Sequence, residues 1–215
     1  LDAALIFDMD GVLADTVGPH YRSWRRLAEE QGFDPFLPEH NVALLGRTRE
    51  DALTLFLRGA TVPEARRAEL LARKQALFLE EIAGLGPEAL LPGAAELLRE
   101  ARARGVALGL ASSSRNAREI CRRLGILDFF TAFADGSVVA RPKPAPDVFV
   151  WVAGRLNLPP ARCVVLEDAQ AGVRAALEGG FRVVGLGDSD LLQQAHRVFP
   201  SLEGVELGEL LALLP

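Results

Sequence analysis

The chain has 215 residues, 49% apolar and 25% charged, with a net charge of −5. That is the make-up of a globular protein with room for one large domain, or for a core with a smaller appendage, and its negative balance counts against nucleic acid or an anionic membrane as the main partner. No apolar run approaches bilayer-spanning length, no signal-peptide pattern opens the chain, and the two cysteines, Cys121 and Cys163, lack metal-type spacing, so a reduced, cytoplasmic setting is expected. In chain order, AALIFD (3–8) reads as a parallel strand buried on both faces. Residues 16–86 then show helical periodicity and no strand. A helix is expected from Gly18-Pro19, with proline at its first position. Thr48 is expected to cap REDALTLFLRG, and PEARRAELLARKQALFLEEIAG reads as a long amphipathic helix.

The strand pattern resumes near Leu91-Pro92-Gly93. GVALGLAS (105–112), TAFAD (131–135), CVVLED (163–168) and FRVVGLG (181–187) read as four more strands. Helical patterns at 93–105, 115–125, 145–156 and 169–180 separate or flank them. Strands alternating with helices at this spacing imply a doubly wound α/β fold with a parallel sheet. The expected organisation is an α/β unit from 1–15 and 87–215, with a helical insert, 16–86, after the first strand.

Asp8, Ser112, Asp135, Glu167 and Asp168 all fall at C-terminal ends of these strands, the edge where open parallel sheets bind ligands. Asp8 and Asp10, two apart, would face one site, and Gly11 lets the chain turn sharply or pass close to a ligand. Each piece also has a plainer reading. Asp168 can cap the helix that follows it, and Ser112 to Ser114 can cap theirs. Asp8-x-Asp10-Gly can be a turn, and Lys143 a solvated loop charge. Lys74 and Lys143 are the only lysines among 24 basic residues.

Together these groups suit phosphoryl transfer. A carboxylate attacks phosphorus and holds an aspartyl-phosphate. Magnesium held by carboxylates offsets the like-charge repulsion. A lysine and hydroxyls stabilise the remaining oxygens, and a second carboxylate serves as general acid and base.

At these residues the sequence resembles the haloacid dehalogenase superfamily. Its four motifs occur in order: DMDGV (8–12), Ser112 in LASSS, Lys143 in RPKPAPD, and Glu167-Asp168 in VLEDAQAG. Within it, GVLADTVGPHYRSWRRLAEEQG (11–32), LLGRTREDAL (44–53), ARKQ (72–75) and LASSSRN (110–116) are similar to the β-phosphoglucomutase family. The resemblance implies a Rossmann-like core with an inserted helical cap. It makes Asp8 the nucleophile and Asp10 the general acid and base, with Ser112 and Lys143 holding the transferring phosphate. Magnesium would be bound by Asp8, the Asp10 carbonyl and Asp168, with Glu167 a ligand or a neighbour of one. Ser113, Ser114, Arg115 and Asn116 would bind the sugar and its other phosphate, and Gly46, Arg47, Arg49 and Lys74 would reach it from the cap. Thr16 and His20 would stand at the cap hinge, although His20 and Trp24, four apart, can equally just pack. Leu45, Arg47, Gln75 and Arg115 depart from the family pattern, which bears on the choice of sugar.

The implied activity is a mutase interconverting β-glucose 1-phosphate and glucose 6-phosphate, with glucose 1,6-bisphosphate as activator. The alternative is a magnesium-dependent sugar-phosphate phosphatase, in which water replaces the sugar as acceptor. A non-catalytic protein on this fold would be expected to lack Asp8, Asp10, Lys143 or Asp168, and all four are present. The expected partner is a small phosphorylated sugar, and the expected state a monomer.

Overall fold

A computed structural model of the chain describes residues 2–44 and 48–215, with Val42 described by its backbone alone. The expected cap contacts of Gly46 and Arg47, and the departure at Leu45, lie outside the described residues.

Strand β1 (Ala4–Phe7) is followed by four helices: α1 (Val17–Gln31), α2 (Pro38–Val42), α3 (Arg49–Phe56) and α4 (Glu64–Glu81). Then come α5 (Ala94–Ala103), β2 (Ala107–Ala111), α6 (Ala117–Arg123), β3 (Ala132–Ala134), α7 (Asp147–Arg155), β4 (Cys163–Glu167), α8 (Gln170–Glu178), β5 (Arg182–Leu186), β6 (Arg197–Phe199) and α9 (Leu207–Leu211). The chain divides into two compact units, Leu1–Asp15 with Gly86–Pro215, and Thr16–Leu85.

The first unit is built on a six-stranded sheet in the order β3-β2-β1-β4-β5-β6, and every pairing is parallel. The expected doubly wound fold is therefore present, with β1 at its centre. All four residues of β1 are fully buried. An apolar run without alternation forms here because both faces are covered. Full burial of a side chain such as Leu5, Ile6 or Phe7 contributes about 1.5–3 kcal/mol. Successive connections run outward from β1 to one side through β2 and β3. They then return to the other side through β4, β5 and β6. That reversal beside β1 is the switch point where such sheets open a crevice at the strand ends.

Five strands match the sequence expectation to within one or two residues. The sixth, β6, was not expected: Arg197–Phe199 is three residues long and incompletely buried at the sheet edge, too short to show a period.

In the second unit, α1 and α4 run antiparallel, because the ion pairs between them climb one helix while descending the other. Arg22 and Arg26 reach Glu81 at 2.6 and 3.1 Å, Arg26 reaches Glu80 at 2.6 Å, and Arg73 grips Glu30 with two nitrogens at 2.6 and 2.7 Å. The apolar stripes of these helices meet around Trp24, Leu27, Leu53, Phe56, Leu70 and Leu77. Thr48 does cap α3: its hydroxyl accepts the Asp51 N–H at 3.2 Å. The start of α1 differs from expectation. The helix begins at Val17, so Pro19 is its third residue. Proline fits there because the first four N–H groups of a helix have no partner within it.

Candidate active site

The side chain that ends β1 is Asp8, and its own N–H donates to the Leu166 carbonyl of β4 at 3.0 Å. Strand alternation sends Met9 into the core, where it is fully buried, so Asp8 and Asp10 project to the opposite side. The Met9 carbonyl then accepts the N–H groups of Val12, Leu13 and Ala14. The plainer reading of this stretch as a turn is thus also correct, and it is the turn that presents the carboxylates. Gly11 carries a φ of 76°, and a Cβ there would lie 1.9 Å from Oδ2 of Asp168. Only glycine satisfies both the backbone conformation and the approach of the β4 carboxylate.

Lys143 is far from a solvated loop charge. Its side chain is 7% exposed, and its ammonium donates to Oδ1 of Asp8 at 2.5 Å, Oε1 of Glu167 at 2.6 Å and the Ala111 carbonyl at 3.1 Å. Three N–H donors meet three oxygens, one from the end of each central strand, and the ammonium lies 4.7 Å over the Phe149 ring. Burial alone would lower its pKa, but the Asp8 and Glu167 carboxylates outweigh that and hold it above the ordinary lysine value.

Glu167 is 1% exposed, and both of its oxygens are engaged. Oε1 binds Lys143, and Oε2 accepts the Ala169 N–H at 3.0 Å. This geometry makes Glu167 a buried partner of the lysine that also binds Asp8. It also answers the capping alternative for Asp168. The N-cap of α8 is Ala169, with no side-chain cap. Asp168 is exposed at the rim, where partial burial and the Glu167 and Asp10 carboxylates raise its carboxyl to about 7, an effect that solvent tempers. Asp8 is raised too, first by burial and then by Glu167, Asp10 and Asp168, against the opposing pull of Lys143.

Ser112 is 1% exposed and held by its N–H on the Ala134 carbonyl at 3.0 Å. Its hydroxyl accepts the Ser114 N–H at 3.0 Å, and the Ser114 hydroxyl accepts the Asn116 N–H at 3.2 Å. The serines fold their own loop into two successive turns ahead of α6, whose N-cap is Asn116. Ser113 and Arg115 in that loop are exposed. Asp135 is spent locally, its Oδ1 taking the N–H and hydroxyl of Ser137 at 2.9 and 2.5 Å.

Sequence reasoning missed one position in this unit. A Cβ on Gly172, in the first turn of α8, would lie 1.7 Å from Oε1 of Glu167. The missing side chain is what lets Glu167 lie against the helix. Gly172→Ala is expected to cost about 1–3 kcal/mol through overpacking, read from urea unfolding midpoints at constant slope. The signal was available as the only glycine in QAGVRAALE, a helix interior where glycine is otherwise unfavourable.

In the other unit, His20 stacks on Phe78 with ring centroids 4.2 Å apart, and its Nδ1 lies 2.8 Å from the Lys74 ammonium. Lys74 sits 4.7 Å over the Phe78 ring and 5.2 Å over Trp24. The two positions singled out in the sequence thus contact each other, and the packing reading of His20 is also met. Burial, and then the adjacent ammonium, hold His20 well below its ordinary pKa, so it is neutral near pH 7 and can accept from Lys74. Arg49 opens α3 with its Nε 3.6 Å from Glu50, and Thr16 is the N-cap residue of α1, 1% exposed.

Among the described residues no three acidic, histidine or cysteine side chains converge as a metal cluster. The expected set needs fewer: two side chains, Asp8 and Asp168, and the Asp10 carbonyl. Those donors are all oxygen, the kind a hard divalent cation takes. The raised carboxyls of Asp8 and Asp168 also mark a pocket short of positive charge, with Lys143, among the described residues, opposing Asp8, Asp10, Glu167 and Asp168. The residues present fit magnesium.

Comparison with known proteins identifies the family. The model of the haloacid dehalogenase-like hydrolases matches residues 3–180. The chain is 42% identical over 199 residues to the β-phosphoglucomutase of Bacillus subtilis (strain 168), covering 91% of this chain and 88% of that protein. It is 31% identical over 205 residues to the phosphorylated carbohydrates phosphatase of Thermotoga maritima, covering 91% and 92%. The crystal structure of β-phosphoglucomutase from Clostridium difficile superposes with a TM-score of 0.91 at 31% identity, covering 98% of this chain and 96% of that one. Mutase and phosphatase therefore both stand among its relatives, and the chain is an enzyme of one of these two kinds. A match across most of the chain, and a cage of Asp8, Lys143 and Glu167 at the switch point of its sheet, place it in the haloacid dehalogenase-like hydrolase family.

Proposed function

We propose that the chain is a phosphosugar mutase that interconverts β-glucose 1-phosphate and glucose 6-phosphate. The observation that carries this reading is the 42% identity to a β-phosphoglucomutase over nine-tenths of the chain, together with the Asp8–Lys143–Glu167 cage.

In this reading Asp8 carries the phosphoryl group as an aspartyl-phosphate. Lys143 grips Oδ1, which leaves Oδ2 to attack phosphorus. When the 6-hydroxyl of β-glucose 1-phosphate attacks the aspartyl-phosphate, Asp10 takes the hydroxyl proton, the P–O bond to Asp8 breaks, and glucose 1,6-bisphosphate forms. The bisphosphate turns over in the site. Asp8 then attacks the phosphorus on C1, Asp10 returns its proton to the departing C1 oxygen, and glucose 6-phosphate leaves. Lys143 and Ser112 hold the transferring oxygens, acting where negative charge develops. Ser113, Ser114, Arg115 and Asn116, with Gly46, Arg47 and Arg49, serve the sugar and its other phosphate. Guanidinium suits that task because it binds phosphate with two parallel donors. Lys74 serves the sugar from the helical unit, and Thr16 and His20 stand at its hinge. Superfamily members generally use Mg2+. Bound here by Asp8, Asp168 and the Asp10 carbonyl, it would neutralise charge between carboxylate and phosphate.

Asp10→Ala is expected to slow transfer by on the order of a hundredfold or more, as loss of a general acid and base does. Single-turnover kinetics of phosphoryl transfer check it, and a near-normal rate would remove Asp10 from that role.

A second reading, a sugar-phosphate phosphatase, has a specific support: the 31% identity to a phosphatase of phosphorylated carbohydrates. One paired assay separates the two. With β-glucose 1-phosphate, magnesium and a trace of glucose 1,6-bisphosphate, a mutase makes glucose 6-phosphate and little free phosphate. A phosphatase releases phosphate without isomerisation.

A further inference from the structure

An open groove of about 570 Å³ lies on the first unit, where β3 ends the sheet and α6 and α7 flank it. None of its lining belongs to the phosphoryl-transfer machinery. Arg118 from α6 and Arg155 from α7 line it, together with Thr131, Phe130, Phe133 and Trp151. Elsewhere on the chain arginines such as Arg22, Arg26, Arg73, Arg141 and Arg197 bind carboxylates. Among the described residues Arg118 and Arg155 have no such partner and rest on ring faces instead, Arg118 4.6 Å over Phe133 and Arg155 5.8 Å over Trp151.

In a chain of net charge −5, two guanidiniums at one groove that make no ion pair among the described residues are a local excess of positive charge. A guanidinium on an exposed ring is weakly held, so an anion can draw it off and expose the ring face. Trp151 is 37% exposed, so part of its ring is accessible from the groove. The volume lies in the range of small-ligand sites. One carboxylate, Asp128, also lines the groove, so the lining carries one net positive charge. That balance favours a single phosphate over a chain of them.

From these observations we infer that the groove is a second binding site, for a small organic phosphate that carries a planar ring, of the class of a nucleoside monophosphate. The ring stacks on Trp151, and the guanidiniums take the phosphate. The competing account is that the arginines only guard an edge strand against pairing with another chain.

Trp151 supplies a local probe. The chain has two tryptophans, and the other, Trp24, is 3% exposed and lies in the second unit. The indole N–H resonance of Trp151, assigned by its loss in Trp151→Phe, is followed while adenosine 5′-monophosphate is added to the full chain. A saturable shift is expected, weakened about tenfold or more, or 1.4 kcal/mol, in Arg118→Gln/Arg155→Gln. Adenosine and ribose 5-phosphate, each lacking one half of the ligand, are expected to bind about tenfold or more weaker. Both arginines are exposed, so the double variant keeps its fold and its sugar-phosphate turnover. No saturable shift of Trp151, a shift that survives in the double variant, or equal binding of adenosine would overturn the assignment. The double variant leaves Asp8 and Lys143 in place, so a shift that arose from binding there would survive in it and would not be mistaken for this site.

Discussion

Asp8→Asn is expected to abolish phosphoryl transfer, with kcat falling on the order of ten-thousandfold or more, as when an enzyme loses its nucleophile. The substitution is nearly isosteric, and its amide oxygen can still accept from Lys143, which binds the present carboxylate at 2.5 Å. The cage therefore keeps its shape, and the loss is chemical: an amide oxygen does not form the phosphoenzyme. Intact-protein mass after exposure to glucose 1,6-bisphosphate should show a gain of one phosphoryl group in the wild type and none in the variant. Asp8→Ala closes the remaining escape, slow deamidation of the introduced amide back to a carboxylate. If the alanine variant still turned over, the nucleophile would lie elsewhere, and both mutase and phosphatase readings would fall together. Asp10→Ala should behave differently, because it retains the nucleophile and should still accumulate phosphoenzyme slowly.

Asp8 was legible in the sequence because two independent signals met on it. An unalternating apolar run fits a parallel strand buried on both faces, and the C-terminal ends of such strands are where open sheets bind ligands. The same logic placed Ser112, Glu167 and Asp168, and the doubly wound fold followed from strand and helix alternation. What stayed hidden were contacts between side chains far apart in sequence. Nothing in RPKPAPD shows that Lys143 reaches both Asp8 and Glu167, 135 and 24 residues away. Nothing in VLED assigns both oxygens of Glu167. Periodicity reports which face a residue lies on, and it is silent about its partner. Short elements failed for another reason: β6 has three residues and α2 and α9 five each, less than the span over which a period can be seen. Asp135 marks the opposite error. It sits at a strand end as required, but β3 is the sheet edge, away from the switch point, and its carboxylate closes a local turn.

Lys143→Met should lower stability by about 3–5 kcal/mol at neutral pH with magnesium chelated, the cost of leaving buried charges without their partner. Methionine keeps the length and the contact with Phe149 while removing the only cation in the cage. The loss should depend on pH in a direction set by Asp8. Its carboxyl is already raised above the ordinary value, and Lys143 is the one neighbour that pulls it down. Without the lysine the folded variant holds protons near neutral pH that the unfolded chain has released. Stability falls with rising pH wherever the folded state binds more protons. The variant should therefore recover as pH drops from neutral toward the ordinary aspartate value of about 4. In the wild type Lys143 holds the Asp8 carboxyl lower, so stability changes less over the same fall in pH. Urea unfolding of both proteins across that range should give two curves that converge at the acid end. Parallel curves would mean that the Asp8–Lys143–Glu167 cage contributes nothing as an ion pair, and that Lys143 acts by shape alone.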